Sequence, residues 1–212
     1  MKYPRINQIA KRIFDFTVSL IGLILLSPFF LLIAIIIKLD SKGPVFYKQK
    51  RFGKGGKEFN LIKFRTMHVN ADKYGKLTVG MKDPRVTRVG YFLRKYKLDE
   101  LPQLINVLKG DMSLVGPRPE LKYRVEKLPP EYKRIYYEIK PGITCYASIE
   151  YIKENELLEK ANLKTPEEIE DFYMKNILPD KIKLNMKYLE RPTVFHDIKL
   201  ILMTIGKILK LR

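Results

Sequence analysis

Residues 13–37 read IFDFTVSLIGLILLSPFFLLIAIII, an apolar run long enough to cross the hydrocarbon core of a bilayer as a helix. Its interruptions are Asp15, Thr17, Ser19, Gly22 and the pair Ser27-Pro28. Two features set the run apart from a plain span. Ser27-Pro28 sits near the middle, where proline removes a backbone donor and clashes with the preceding turn. The helix is expected to break or kink there, into two arms each too short to cross alone. Basic residues also flank both ends: Lys2, Arg5, Lys11 and Arg12 before it, and Lys38, Lys42, Lys48, Lys50 and Arg51 after it. Positive charge favours the cytoplasmic side, so both ends prefer the same side. A re-entrant helix-break-helix satisfies both observations and a kinked span satisfies the first; sequence physics alone leaves both open. A cleaved signal peptide is disfavoured, because the run is too long and no small-x-small cleavage pattern precedes the folded part.

At the other end, residues 195–212 supply a second candidate membrane contact. Lys199, Lys207 and Lys210 fall on one helical stripe, while Phe195, Ile198, Ile201, Leu202, Ile205, Ile208 and Leu209 cover most of the rest. The pattern predicts an amphipathic helix lying in the interface with its lysines toward anionic lipid. A basic helix packed on the core would read the same way. Forty-one Lys and Arg against twenty-three Asp and Glu give a net charge of +18, which demands a polyanionic partner: nucleic acid, an anionic leaflet or phosphorylated substrates. The lone Cys145 and the two histidines, His68 and His196, exclude a disulfide framework and leave too few soft ligands for zinc, so any metal would be held by oxygen. A chain of 212 residues accommodates one catalytic domain plus attachments.

Between these ends, Gly43-Pro44 marks a turn, residues 45–51 predict a strand, the cluster Gly53, Gly55 and Gly56 a turn, and residues 59–65 the returning strand of a hairpin. The cluster lacks the Walker spacing and the following helix that a phosphate loop requires. The chemistry concentrates in residues 83–120, DPRVTRVGYFLRKYKLDELPQLINVLKGDMSLVGPRPE. Residues 98–110 predict a helix with Asp99 as N-cap, Pro102 in the first turn and Lys109-Gly110 as the stop. On Asp99 and Glu100 alone, capping is the ordinary explanation. Their surroundings add another: Arg85, Arg88 and Arg94 precede them, and Arg118 follows, fixed between Pro117 and Pro119 as a guanidinium held on a phosphate in two-pronged fashion would be. A carboxylate beside several arginines is expected to be ionised, able to attack phosphorus or bind Mg²⁺. Phosphoryl transfer is the reaction class this favours.

An ordered set of motifs covers nearly the whole chain: Lys11-Arg12, Asp15, Ser27-Pro28, Gly43-Pro44-Val45, Gln49, Arg51, Gly53, Lys63-Phe64-Arg65-Thr66-Met67, residues 83–88, Arg94, Leu98-Asp99-Glu100-Leu101-Pro102-Gln103 and residues 115–119. In these the sequence resembles the bacterial sugar transferase family, the small monotopic phosphoglycosyl transferases. The resemblance implies a re-entrant helix bent at Ser27-Pro28, an Asp99-Glu100 dyad, a Mg²⁺ ion on these two acids, and a two-step reaction. Asp99 would attack the β-phosphorus of a UDP-sugar and release UMP, and polyprenyl phosphate (undecaprenyl type) would then take the phosphosugar. Lys63, Arg65, Arg85, Arg88, Arg94 and Arg118 would hold phosphates, and Glu100 would support the metal or help activate the acceptor. The implied fold is α+β: a re-entrant membrane helix over residues 1–40, a small, mostly helical catalytic domain with a short β-hairpin over residues 41–190, and an interfacial amphipathic helix over residues 191–212. The implied place is the cytoplasmic face of the bacterial inner membrane, in the short form of the family without an extra N-terminal transmembrane bundle. One departure stands out. After Pro141-Gly142-Ile143-Thr144, where relatives have Gly and then an arginine toward the nucleotide, this chain has Cys145 and Ile152, with Lys153 the nearest replacement cation. Residues 154–170, rich in Glu and Leu, are expected to be solvated helices.

Two other functions fit the charge. A nucleic-acid-binding protein is disfavoured, since no aromatic sheet motif or helix-turn-helix pattern is legible and an apolar anchor is unexpected; no nucleic-acid partner is expected. A non-catalytic membrane-anchored scaffold, its dyad only capping, would release no UMP. No residue pattern distinguishes the sugar, the polyprenol, the glycan pathway or the oligomeric state.

Overall fold

Period-two alternation around a glycine turn makes a hairpin of residues 46–64. In the computed structural model, which describes residues 5–71, 83–161, 163, 165–190 and 193–210, strands β1 (Phe46–Phe52) and β2 (Glu58–Phe64) pair antiparallel with Phe46 opposite Phe64. Lys54–Gly56 forms the 3₁₀ turn between them. Gly55 and Gly56 have φ of 71° and 80°, left-handed values that glycine adopts without a Cβ penalty. Lys2, the side chain of Arg5 and residues 211–212, on which the sequence expectations drew, lie outside what is described.

Ahead of the hairpin runs α1 (Arg5–Asp40), 36 residues and about 54 Å at 1.5 Å per residue. The chain stays helical through Pro28, so the expected change of direction is at most a bend within α1 and not a break. The reason is local. Pro28 has no N–H for the carbonyl of Ile24, and Ser27 Oγ donates to that carbonyl at 2.8 Å in its place. Most of α1 is exposed and apolar, Leu25 at 73% and Leu39 at 82%, and it is the one described helix long and apolar enough to cross a bilayer by length and composition.

After the hairpin come α2 (Arg88–Lys95), α3 (Gln103–Lys109), β3 (Ser113–Val115), α4 (Lys122–Glu126), α5 (Pro130–Glu138), β4 (Gly142–Thr144), α6 (Tyr146–Glu150), α7 (Glu154–Lys160), α8 (Pro166–Phe172), a π-helical turn (Tyr173–Ile177), α9 (Leu178–Glu190) and α10 (Val194–Leu209). The helix expected over residues 98–110 is two pieces. Pro102 cannot donate to Leu98 O; Leu101 N does so at 3.2 Å, closing the 3₁₀ turn Leu98–Glu100, and α3 starts at Gln103. No side chain caps either piece, so Asp99 is not an N-cap.

Both ends of α1 are fastened to the same folded body. Lys11 pairs with the fully buried Asp197 of α10, Arg12 donates to the last-turn carbonyls Val107 O and Leu108 O of α3 at 2.7 Å each, and Asp15 Oδ1 accepts from Leu114 N at 3.1 Å. At the far end Ile33 and Ile37 pack with Phe64 and Leu93, and Asp40 accepts from Val89 N at 3.1 Å. The main core gathers Phe52, Ile135, Leu158, Tyr173 and Ile182, and a second gathers Leu61, Val107, Val115, Tyr188 and Leu200. In α10, Asp197 and Leu200 face the body while Phe195, Leu202, Ile205 and Leu209 are exposed, as are Lys199, Lys207 and Lys210.

Candidate active site

Four elements converge on the dyad. The 3₁₀ turn carries Asp99 and Glu100, β2 brings Lys63, the last turn of α2 carries Arg94, and the loop after β3 carries Arg118. That loop is fixed by more than its two prolines. Gly116 N donates to Thr144 O at 3.0 Å and Gly142 N to Pro117 O at 2.9 Å, a crossing so close that a Cβ on Gly142 would lie 2.0 Å from Gly116 N. The two-pronged contact expected of Arg118 exists, but to Glu100: Nη1 donates to Oε2 at 3.1 Å and Nη2 to Oε1. Lys63 Nζ donates to the same Oε1 at 2.9 Å. Glu100 therefore holds both cations, while Asp99, buried beside it, accepts a hydrogen bond from none of the described residues.

The other expected phosphate ligands divide. Arg94, at the cavity, donates from Nε to Thr66 Oγ1 at 3.0 Å. Arg65 is committed elsewhere, donating to Ser41 O, Lys42 O and Pro44 O at 2.6–2.9 Å and so clamping the exit of α1. Arg85 is paired with Asp83 at 2.6 Å, and Arg88 is exposed at the start of α2. Of the six expected cations, Lys63, Arg94 and Arg118 surround the dyad; Arg65, Arg85 and Arg88 do not.

Asp99 stands where two cavities meet. One, about 380 Å³, is polar and includes Gln49, Arg51, Glu120, Arg124, Glu154 and Lys181. The other, about 480 Å³, is largely apolar and bounded by Val18 and Gly22 of α1, Leu104, and Ile201, Ile205 and Ile208 of α10. Lys63, Arg94, Asp99 and Arg118 line both. Lys181 and Glu154 were not among the expected site residues. The buried Lys181 ammonium donates to Glu154 Oε2 at 2.7 Å and to Tyr173 OH at 3.1 Å, and Tyr173 OH donates to Glu120 Oε1 at 2.6 Å. Glu154 thus belongs to the cavity wall and not to a solvated helix. A signal for Lys181 existed: it lies in register with the buried stripe Leu178, Ile182, Asn185 and Tyr188 of α9.

Electrostatics separate the two acids. Burial raises the Asp99 pKa above the ordinary aspartate value; Lys63 opposes this and the Glu100 charge adds to it. Ionisation of Asp99 is therefore less favourable than its basic surroundings had implied, because burial outweighs the attraction of Lys63 and Arg94. Burial would raise Glu100 too, but the charges of Arg118 and Lys63 outweigh it and hold this carboxyl well below the usual range. The same accounting bears on Mg²⁺. No group of three or more His, Cys, Asp or Glu able to hold a metal occurs among the described residues. Glu100 has both oxygens occupied by cations, so of the two expected ligands Asp99 alone fits, in the mode where phosphates and water supply the remaining oxygens.

Residues 6–211 match the bacterial sugar transferase family. This chain belongs to that family. Similar relatives include the UDP-glucose:undecaprenyl-phosphate glucose-1-phosphate transferases of Escherichia coli (strain K12), 36% identical over 95% of this chain and 40% of that protein, and of Caulobacter vibrioides, 35% identical over 97% and 72%. The UDP-N-acetylgalactosamine-undecaprenyl-phosphate N-acetylgalactosaminephosphotransferase of Aeromonas hydrophila is 45% identical over 66% of this chain and 33% of its own length. The chain thus spans less than half the length of two of these relatives. In this bacterial sugar transferase the departure after Thr144 is accommodated locally: Cys145 Sγ accepts from Ser148 N at 3.3 Å as the N-cap of α6, and Ile152 lines the apolar cavity. Lys153 is exposed and pairs with Glu156 at 3.5 Å, away from the dyad.

Proposed function

We propose that this chain transfers a sugar-1-phosphate from a UDP-sugar to a membrane polyprenyl phosphate of the undecaprenyl type, through a covalent phosphosugar on Asp99, at the initiation of surface glycan assembly. The observation that carries the reading is the position of Asp99 between a polar cavity suited to a nucleotide diphosphate and an apolar cavity walled by α1 and α10. An Asp99 carboxylate oxygen attacks the β-phosphorus, the bond from that phosphorus to the bridging oxygen breaks, and UMP leaves with the electron pair. A phosphate oxygen of the acceptor then attacks the same phosphorus from the apolar side; the Asp99–phosphorus bond breaks and the carboxylate is restored. Lys63, Arg94 and Arg118 line both cavities and can follow the phosphoryl group through both steps. Glu100 positions Lys63 and Arg118. Asp99 would hold Mg²⁺, which would supply positive charge against the donor phosphates.

The fastenings of α1 support a monotopic placement. A spanning helix would put Arg12 and Asp40 on opposite sides of roughly 30 Å of hydrocarbon, yet both are bonded to the one folded body. We therefore place residues 1–40 as a re-entrant anchor bent at Ser27-Pro28, the catalytic domain of residues 41–190 at the cytoplasmic face of the bacterial cell membrane, and residues 191–212 in the interface. Relatives named for glucose and for N-acetylgalactosamine are both similar to this chain, so the sugar is found by screening. Membranes containing the protein, with Mg²⁺ and undecaprenyl phosphate, should release UMP from one or a few UDP-sugars. Failure with every UDP-sugar, in a protein shown to be folded, would count against the proposal.

A further inference from the structure

Among the described residues, the polar cavity holds cations that are paired with carboxylates and a guanidinium, Arg51, that is not. Lys63 and Arg118 are paired with Glu100, Arg124 with Glu170 and Glu120, and Lys181 with Glu154. Arg51, at the end of β1, lines the same cavity and has no carboxylate within ion-pair distance among the described residues. Its Nη2 donates to Gln49 Oε1 at 2.6 Å, and its Nε is buried without a hydrogen-bond partner. Glu120 attracts it from beyond contact, while Arg118 and Arg124 repel it. A guanidinium whose Nε is buried without a partner is unfavourably placed until an anion meets it, and its planar N–H fork suits a phosphate.

The cavity linings say which phosphate. The group transferred to Asp99 must afterwards be reached from the apolar cavity, so the cations that serve it come from those lining both cavities, Lys63, Arg94, Arg118 and Lys181. Arg51 lines the polar cavity and is absent from the apolar one. It meets only what arrives and departs on the polar side. We infer that Arg51 binds the phosphate that leaves with the nucleoside, the α-phosphate of the donor and then the phosphate of UMP, with Gln49 setting the plane of its guanidinium. This rests on the donor reading above. When the phosphorus–oxygen bond breaks, the bridging oxygen gains the electron pair and becomes part of the UMP phosphate, and Arg51 meets the charge that develops there.

The test compares UMP with uridine, which lacks the phosphate, by titration calorimetry on the full chain in lipid nanodiscs. Wild type should bind UMP more tightly than uridine. Arg51→Gln should lose about ten- to hundredfold in UMP affinity, the range of a charged hydrogen bond, while uridine affinity stays as in wild type. Arg51→Lys, which keeps the charge and loses the fork, should fall between. Equal weakening of UMP and uridine would mean that Arg51 only supports the hairpin, and unchanged UMP affinity in Arg51→Gln would likewise overturn the inference. If wild type releases UMP from no UDP-sugar and binds no UMP, the donor reading itself has failed; if it does both and only the Arg51 variants behave as wild type, that reading stands and this inference falls.

Discussion

Replacing each acid of the dyad by its amide should move stability in opposite directions. Glu100 is the shared anion of two cations, with its side chain 12% exposed, Lys63 at 19% and Arg118 at 34%. Glu100→Gln keeps the shape and leaves both cations without a counter-charge. Breaking a buried pair by removing one partner costs about 3–5 kcal/mol. Because Arg118 is a third exposed, water recovers part of its charge, and about 2–3 kcal/mol is the appropriate expectation. For a chain of this size each kcal/mol is worth roughly 2–4 °C in Tm, so Glu100→Gln should melt about 4–12 °C lower. Asp99→Asn removes a buried charge that accepts no hydrogen bond and is repelled by Glu100, so Tm should hold or rise while UMP release disappears.

The pH dependence follows with the same signs. The Asp99 pKa is raised above 3.8, so its contribution to stability is present below the unfolded value and is lost as pH rises through the folded one. The Glu100 pKa is depressed below 4.5, so its contribution is present above the unfolded value and is lost as pH falls through the folded one. Losing the Glu100 charge also lowers the Asp99 pKa, so the acid limb of the residual activity in Glu100→Gln should shift to lower pH. Differential scanning fluorimetry in detergent at pH 7, with UMP release followed from pH 4 to 8, reads all of this. A Tm for Asp99→Asn as low as that of Glu100→Gln would refute the division of roles.

Three further outcomes follow from other parts of the molecule. With Cys145 removed, single cysteines near residues 3 and 42 should be labelled by an impermeant maleimide from the same side of sealed vesicles; opposite-side labelling would rule out the re-entrant anchor, and Pro28→Ala should move the helix toward spanning. Arg118→Ala should lower turnover at least tenfold more than Lys207→Ala, since a charged hydrogen bond at the dyad is worth more than one exposed lipid-facing lysine at about 1 kcal/mol; equal losses would contradict these assignments. Gly142→Ala should lower Tm and misplace Arg118, because its Cβ would fall 2.0 Å from Gly116 N; a variant with wild-type Tm and turnover would show that the crossing relaxes freely.

The hairpin was legible because its signals are local: Lys48 and Lys50 alternate with Gln49 and Arg51, and glycines mark the turn. The parallel pair of β3 and β4, with Ser113 opposite Gly142, was not, since three-residue strands are too short for periodicity to register and their partner lies far along the chain. Asp99 and Glu100 were legible as a motif, but their division of labour was not. Whether a guanidinium meets a carboxylate or a carbonyl, or keeps an N–H without a partner, is decided by tertiary placement, and Arg118, Arg65 and Arg51 take these three courses. The residues 72–82 that follow the Lys63 to Met67 motif contribute nothing to this comparison, being outside the described structure.

Under the proposed mechanism the acid next to Asp99 has a physical purpose. A carboxylate that attacks the negatively charged diphosphate of a nucleotide-sugar needs cations close enough to offset repulsion, but a cation bonded directly to the attacking oxygen would occupy the lone pair the reaction uses. Glu100 resolves the conflict by accepting Lys63 and Arg118 itself, which keeps them beside Asp99 without either being bonded to the oxygen that would attack. The cost is carried by Asp99, whose charge is disfavoured by burial and by Glu100, and that disfavour also makes its oxygen the better nucleophile once ionised. When a phosphate enters from the polar cavity, Arg118, a third exposed, can share its remaining N–H groups with it and still hold Glu100. A phosphosugar on Asp99, as proposed, would already be surrounded by side chains that also face the apolar cavity, so the acceptor step would need no new set of cations.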